Sequence, residues 1–480
     1  MTLPDVHKIP KVDYVMLLPI LALAFYIAFI PHYNYPYPLH VDEWVHLTYS
    51  KALMGAGSTT FAGSFLLEAG YHLFWGVFQS ISGISWMNIF RYFPSIIFMI
   101  TALSVYVLAR RQGFGWEAAL FTCLIPTTVG ILGPAFMVPV AMGLLFIPLS
   151  LFIAFNFRTG WSYLALFIFT CFLLSIHATS AVCLAIVLAP YILLNLKGNF
   201  KHSLRITLAI AIPFLAPFPW IFSLLLTTVK ALLSPQLFPT YIDLPRVIQD
   251  YGYLPILFCL LGIFLLAIRG GKKSYSLIFG LLALLVILVI YYTFHYGIEH
   301  LYFRGLMYMM LLMSIVAGAG LMGVKNLRLP RRLASWLKVP LIRKNAGNIL
   351  CLALIGLTLA ITIPDRQDTP YYHLIDREDY QAFVWVSENV GEDYDKAILD
   401  PWKATAFIAI TEKDIYTRIH THPTAKDNKA YAFLNSGCKD TNFMRENGIS
   451  IVYSRKACNN PDLVEVRENI YLLKEAQTVE

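Results

Sequence analysis

Two carboxylates stand side by side in the run Leu39-His40-Val41-Asp42-Glu43-Trp44-Val45-His46-Leu47-Thr48-Tyr49. Neighbouring residues on a helix point about 100° apart, so Asp42 and Glu43 cannot share one task. One suits a general base, and the other suits holding a substrate or a nearby cation. His46 follows Asp42 by four residues, and a helix puts both on one face. A helix N-terminus capped by its own acids accounts for the same residues. A second cluster reads His295-Tyr296-Gly297-Ile298-Glu299-His300-Leu301-Tyr302-Phe303-Arg304-Gly305. A guanidinium at Arg304 can fork onto phosphate oxygens, or it can snorkel toward lipid headgroups. His177 opens the polar turn His177-Ala178-Thr179-Ser180, where a hydrogen-bonding structural role is the plainer use.

These residues stand in an apolar chain. Of 480 residues, 58% are hydrophobic and only 14% charged, and the mean hydropathy is +0.61. Soluble domains carry about 25% charged residues, so lipid is the solvent for most of this chain. A bilayer core takes about 20 apolar residues per helix. Eleven spans are predicted: 14–31, 92–109, 116–132, 136–156, 161–177, 180–196, 206–228, 252–268, 275–293, 304–323 and 346–363. The first lacks a small-x-small cleavage site and reads as an uncleaved span. The stretch 65–83 is apolar, but Glu68, His72 and Gln79 interrupt it, and it reads as an amphipathic helix at the interface.

Orientation follows from the loops. One set holds 18 Lys and Arg, from Lys8 and Lys11 through Arg110/Arg111, Arg158, Lys197/Lys201/Arg205 and Arg269/Lys272/Lys273 to the run Lys325–Lys344. The opposite short loops hold five: Lys51, Arg91, Lys230, Arg246 and Arg304. The positive-inside rule makes the first set cytoplasmic, in the plasma membrane, and an odd number of spans puts residues 364–480 outside. The net charge of +8 is spread over these loops, which argues against a nucleic-acid partner. The spans are nearly free of ionisable residues, which argues against an ion-coupled transporter.

Composition shifts after Pro364. The last 117 residues carry 20 acidic and 14 basic side chains. Helical patterns at Asp379–Asn389 and Trp402–Thr411 alternate with strand-like runs at Lys396–Asp400, Ile415–Ile419, Ile449–Ser454 and Ile470–Lys474, which predicts a small α/β domain. Asp400 reads as the cap of the second helix. Cys438 and Cys458 are the two cysteines of this domain and are candidates for a disulfide outside the cytoplasm. Cys123, Cys171, Cys183, Cys259 and Cys351 fall in spans and read as packing residues. No CxxC pair suggests zinc, and no cofactor or divalent cation is indicated.

The run 39–49 resembles the first outer loop of the GT-C superfamily of integral-membrane glycosyltransferases, above all the protein O-mannosyltransferase type and archaeal dolichyl-phosphate-sugar-dependent relatives. Gly70-Tyr71-His72 at the interfacial helix, Arg304 before a late span and the layout of spans support the resemblance, which covers most of residues 10–325. It implies a polytopic helical domain over 1–363 with a first outer loop at 32–91, an extracytoplasmic domain over 364–480, and a polyprenyl- or dolichyl-phosphate sugar as donor. It implies an inverting transfer of a hexosyl or pentosyl group to a hydroxyl of a glycan, a lipid-linked glycan or a protein. Asp42 and Glu43 would be the catalytic carboxylates. Arg304, His300 and His177 would attend the donor phosphate, and His46, Glu299 and His72 would lie on the acceptor side or support it. The oligosaccharyltransferase branch carries a Trp-Trp-Asp signature and a second acidic loop. This chain has neither, and Gly133-Pro134-Ala135 stands where that acid would be. A transporter or flippase of a lipid-linked saccharide is the alternative reading, and a non-catalytic scaffold is a third.

Overall fold

A computed structural model describes residues 11–56, 60–61, 64–65, 68–128, 131–216, 244–297, 299–327, 340–369, 373–420 and 422–474. The helices in chain order are α1 (Lys11–Phe29), α2 (Val41–Ala56), α3 (Ala69–Ser82), α4 (Trp86–Arg110), α5 (Gly115–Thr122), α6 (Pro139–Asn156), α7 (Gly160–Ile176), α8 (Ala178–Leu196) and α9 (Phe200–Leu215). They continue as α10 (Leu244–Tyr251), α11 (Tyr253–Arg269), α12 (Lys272–Phe294), α13 (Glu299–Lys325) and α14 (Pro340–Asp368). The chain divides into two compact units. One comprises Met1–Asn34, Leu66–Tyr71 and Arg91–Tyr371; the other comprises Tyr35–Phe65, His72–Phe90 and Tyr372–Glu480.

Among the described residues, seven helices are long and apolar enough to cross a membrane: α1, α4, α6, α8, α12, α13 and α14. α7 is apolar but shorter, and α10 and α11 form a pair bent by 98°. The bend falls at Gly252, whose φ of 101° is a backbone conformation that a Cβ disfavours. The second half of the predicted 206–228 span lies outside the described residues, as do Lys8, Lys230 and most of the basic run after Lys325. Within the stretch 65–83, Ala69–Ser82 forms α3, 14 residues long and about 21 Å in length, which is short of a bilayer core.

The predicted span at 116–132 is not a span. It is helical only over Gly115–Thr122. Pro126 and Pro134 bias the residues before them away from helix. The described residues 124–128 and 131–138 are irregular and all buried except Thr128. Irregular backbone is tolerated at membrane depth only where protein buries it and its polar groups are satisfied. That condition is met: Thr128 N–H donates to the Ile131 carbonyl, Phe136 N–H to that of Gly133, and Ala135 N–H to Thr127 Oγ1.

α13 lies deepest among the spans, with 78% of its apolar window buried. Glycines set how closely its neighbours approach. A Cβ at Gly320 would strike the Phe258 carbonyl of α11, one at Gly318 would strike Ala118 of α5, and one at Gly262 of α11 would strike the Val316 carbonyl. Small residues at such crossings let backbones pack without a hydrophobic drive between helices. At the far end of α14, the buried Arg366 donates to the carbonyls of Leu124, in the irregular chain after α5, and of Asp250, in the last turn of α10.

In the other unit, β1 (Thr60–Phe61) and β2 (Ser64–Phe65) pair antiparallel. The C-terminal segment contains α15 (Arg377–Asn389), β3 (Lys396–Ile398), α16 (Ala404–Thr411), β4 (Asp414–Ile415), α17 (Ala425–Asn435), α18 (Thr441–Glu446), β5 (Ile451–Tyr453), β6 (Leu463–Arg467) and β7 (Ile470–Leu473). The sheet order is β4-β3-β5-β7-β6. β3 runs parallel to β4 and β5, which helices connect, and the β5-β7-β6 edge is antiparallel. Capping boxes start α15 (Asp376 with Asp379) and α17 (Thr424 with Asp427). The α/β class matches the sequence pattern, with shorter strands at 415–419 and 449–454 than the pattern gives. Asp400 does not cap α16, which begins after Lys403. Its Oδ1 instead accepts from Trp402 N–H and from the Tyr431 hydroxyl. Cys438 and Cys458 are joined by a disulfide across a separation of 20 residues, and Cys438 is buried in the domain core with Phe433, Met444 and Val452.

Candidate active site

α2 begins at Val41, so His40 is its N-cap and Asp42 and Glu43 fall in its first turn. Glu43 Oε2 accepts the backbone N–H groups of Leu39 (2.6 Å) and His40 (3.0 Å). In return His40 Nδ1 accepts the N–H of Asp42 at 3.1 Å. This is the reciprocal logic of a capping box, with a histidine where serine or threonine usually stands. His40 Nδ1 also lies 3.8 Å from Asp42 Oδ2. The two acids therefore part company. Glu43 is fully buried and occupied by backbone donors, while 29% of the Asp42 side chain stays exposed. The helix N-terminus also favours a carboxylate at both positions.

The same unit anchors this turn from two sides. The Tyr35 hydroxyl donates to the Ile375 carbonyl at 2.8 Å, the Tyr35 ring stacks on His373 at 4.0 Å, and Tyr37 stacks on Tyr380 at 4.8 Å. Further along α2, Lys51 Nζ donates to the Ala409 carbonyl of α16 at 2.8 Å. His420 lies near enough to Asp42 to feel its charge: burial and Arg418 hold the imidazole below its usual value, and Asp42 works against both. No sequence motif marks His420. His46 Nδ1 lies 3.0 Å from His72 Nε2, and Tyr49 packs its ring edge-on to His72. Burial pushes the His72 imidazole down to about 4, so it is neutral at pH 7. These two ring nitrogens are donors that could hold a divalent cation, and they are hydrogen-bonded to each other.

The other unit gathers a second polar group. His177 forms the joint between α7 and α8. Its Nδ1 lies 2.6 Å from Ser180 Oγ, and its Nε2 lies 3.9 Å from Glu68 Oε1. Ser180 Oγ also bonds the Tyr308 hydroxyl, which reaches the Val140 carbonyl at 3.3 Å. Gly143 makes the crossing possible, since a Cβ there would land on both Ser180 Oγ and the Tyr308 hydroxyl. Arg304 stands one turn before Tyr308 on α13 and so opens onto the same stretch of that helix. Nearby, the Tyr71 hydroxyl donates to the Met137 carbonyl at 2.8 Å, and His32 Nε2 meets the Ala135 carbonyl at 3.1 Å.

Asp42, Glu43, His46 and His72 thus share one unit, and Arg304 and His177 share the other. The side chains of Glu299 and His300 lie outside the described residues. Tyr308 and Gly143 escape the sequence reading because their partners stand far away in the chain. The available signal is the four-residue step from Arg304 to Tyr308.

No family model matches this sequence, and no curated protein matches it. Solved structures do. The archaeal oligosaccharyltransferase AglB from Archaeoglobus fulgidus, in complex with an inhibitory peptide and a dolichol-phosphate, matches with a TM-score of 0.63 at 14% identity, over 93% of this chain and 70% of that one. ArnT from Cupriavidus metallidurans, bound to undecaprenyl phosphate, matches with a TM-score of 0.57 at 11% identity, over 97% and 98% of the two chains. At such identities the likeness speaks for architecture. The chain shares the polytopic helical fold of these solved structures, with a small α/β domain at its C-terminal end.

Proposed function

We propose that this protein is a glycosyltransferase that takes a sugar from a polyprenyl- or dolichyl-phosphate donor and delivers it, with inversion, to an acceptor hydroxyl at the outer membrane face. The observation that carries this reading is the split between the paired acids. Glu43 is buried and accepts two backbone N–H groups, while 29% of the Asp42 side chain is exposed in the same first turn of α2. Matching structures that hold dolichol-phosphate and undecaprenyl phosphate supply the class of donor. The charge asymmetry of the loops supports the outer face.

The step balances as follows. Asp42 removes the proton from the acceptor hydroxyl as that oxygen attacks the anomeric carbon. The carbon–oxygen bond to phosphate breaks on the opposite side, and the lipid phosphate leaves with the electron pair. Phosphate is a competent leaving group, so no strong acid is required. The Arg304 guanidinium neutralises the charge that develops on it, the electrostatic role that dominates many active sites. His177, Ser180 and Tyr308 supply hydrogen-bonding groups along the same stretch of the fold. Glu43 holds Asp42 through the backbone, and the acceptor is a glycan, a lipid-linked glycan or a protein hydroxyl.

The test is to incubate the purified chain with polyprenyl-phosphate sugars and measure free polyprenyl phosphate. Acceptor-dependent release is expected. Movement of intact donor across a vesicle without cleavage, or no release from any donor, overturns the proposal.

A further inference from the structure

At the end of the α7–α8 hairpin opposite the His177 turn, a cavity of about 410 Å³ opens among the helix ends. Asn195, on its wall, lies roughly 27 Å along α8 from His177 at 1.5 Å per residue, so the cavity is separate from the polar group around Ser180. Three cations line it: Arg158, Lys272 and Lys273. Three asparagines line it too, and each holds one cation by its side-chain oxygen. Lys273 Nζ donates to Asn156 at 2.9 Å, Lys272 Nζ to Asn195 at 3.3 Å and Arg158 to Asn199 at 3.3 Å.

The partner chemistry is what matters. An amide oxygen orients a cation without cancelling its charge, whereas a carboxylate would do both. None of the lining residues is acidic. Arg111 adds its field at Lys273, and Glu117, a buried acid in the first turn of α5, is paired with Lys325 at 3.2 Å. The N-termini of α9 and α12 adjoin the pocket through Asn199 and Lys272 and add partial positive charge. Three oriented cations with no carboxylate among the lining residues described form a receptor for a multiply bonded oxyanion.

We propose that this pocket binds a phosphate-bearing anion and that its occupant is the headgroup of an anionic phospholipid. The pocket lies at the ends of three membrane-spanning helices, α6, α8 and α12, at headgroup depth, where basic clusters draw anionic lipid. Its role is to fix these helix ends to the leaflet, apart from the chemistry proposed above.

The test uses the full chain in neutral detergent, titrated with phosphatidylglycerol or phosphatidylcholine and read by native mass spectrometry. Phosphatidylglycerol is expected to bind and phosphatidylcholine to bind far less. The triple change Arg158→Gln, Lys272→Gln and Lys273→Gln is expected to weaken phosphatidylglycerol binding about 100-fold, from about 1 kcal/mol per basic residue. Lys272→Arg with Lys273→Arg keeps the charge and is expected to keep binding within about 3-fold by the same reasoning. If inorganic phosphate at millimolar concentration displaces the lipid, the pocket reads the phosphate whatever its source; if not, it reads the lipid headgroup. Equal phosphatidylglycerol binding by the wild type and by a folded triple variant overturns the proposal. So does loss of binding in the Arg variant, because charge would then not be the cause.

Discussion

Glu43 has a structural task in this fold, because its Oε2 accepts both backbone N–H groups of the preceding turn. A glutamine there can still accept those two bonds through its amide oxygen. Glu43→Gln is therefore expected to keep transfer within about 10-fold, while Glu43→Ala loses the cap at about 1 kcal/mol and misplaces Asp42. Steady-state kinetics on both variants check this; a Gln variant as inactive as an Asp42 variant would make Glu43 a chemical participant. Arg304→Ala is expected to lower kcat by about 10²–10³-fold, the usual cost of one charge-stabilising donor, with Lys recovering part of it. Equal turnover in the wild type and the Ala variant would free Arg304 from that role. The paired acids Asp42 and Glu43 and the position of Arg304 before an apolar run can be picked out in the sequence as candidates because those signals are local. The division of labour between the acids was not, since it depends on which carboxylate turns inward.

At the scale of elements, α2 and α3 meet through His46 and His72, and that contact depends on a neutral ring. Burial holds His72 at about 4, against about 6.5 in an unfolded chain. Between those values the unfolded state binds more protons than the folded one, so stability rises with pH across the window and is lost as pH falls from about 6.5 toward 4. The thermal midpoint is expected to drop on acidification over that range, and His72→Asn is expected to flatten the drop. An identical pH slope in the variant would show that the imidazole is not the group responsible. Long apolar helices such as α12 and α13 could be read directly from hydropathy. The chain after Thr122 could not: its residues are as apolar as those of a span, and only Pro126 and Pro134 signal that it folds as buried irregular backbone. The bend at Gly252 was likewise invisible to a count of apolar residues.

For the whole molecule, the C-terminal domain joins the first loop through Tyr35, Tyr37 and Lys51, so the carboxylate turn and the domain form one unit. The composition shift after Pro364 marks that domain, but nothing local in the sequence says that residues 35–65 and 72–90 pack with it. The disulfide closes a 20-residue separation, which restricts the unfolded chain by about 3 kcal/mol on the loop-entropy estimate. Replacing both cysteines by serine is expected to lower the unfolding midpoint of the full chain, and an unchanged midpoint would remove the bridge from the account of stability.

In the proposed reaction Asp42 activates the acceptor for attack on a lipid-phosphate sugar. The direct measurement is single-turnover transfer by the purified Asp42→Asn protein with donor lipid bound. A fall of about 10²–10⁴-fold with donor affinity retained is the predicted result. Transfer at the wild-type rate would contradict it.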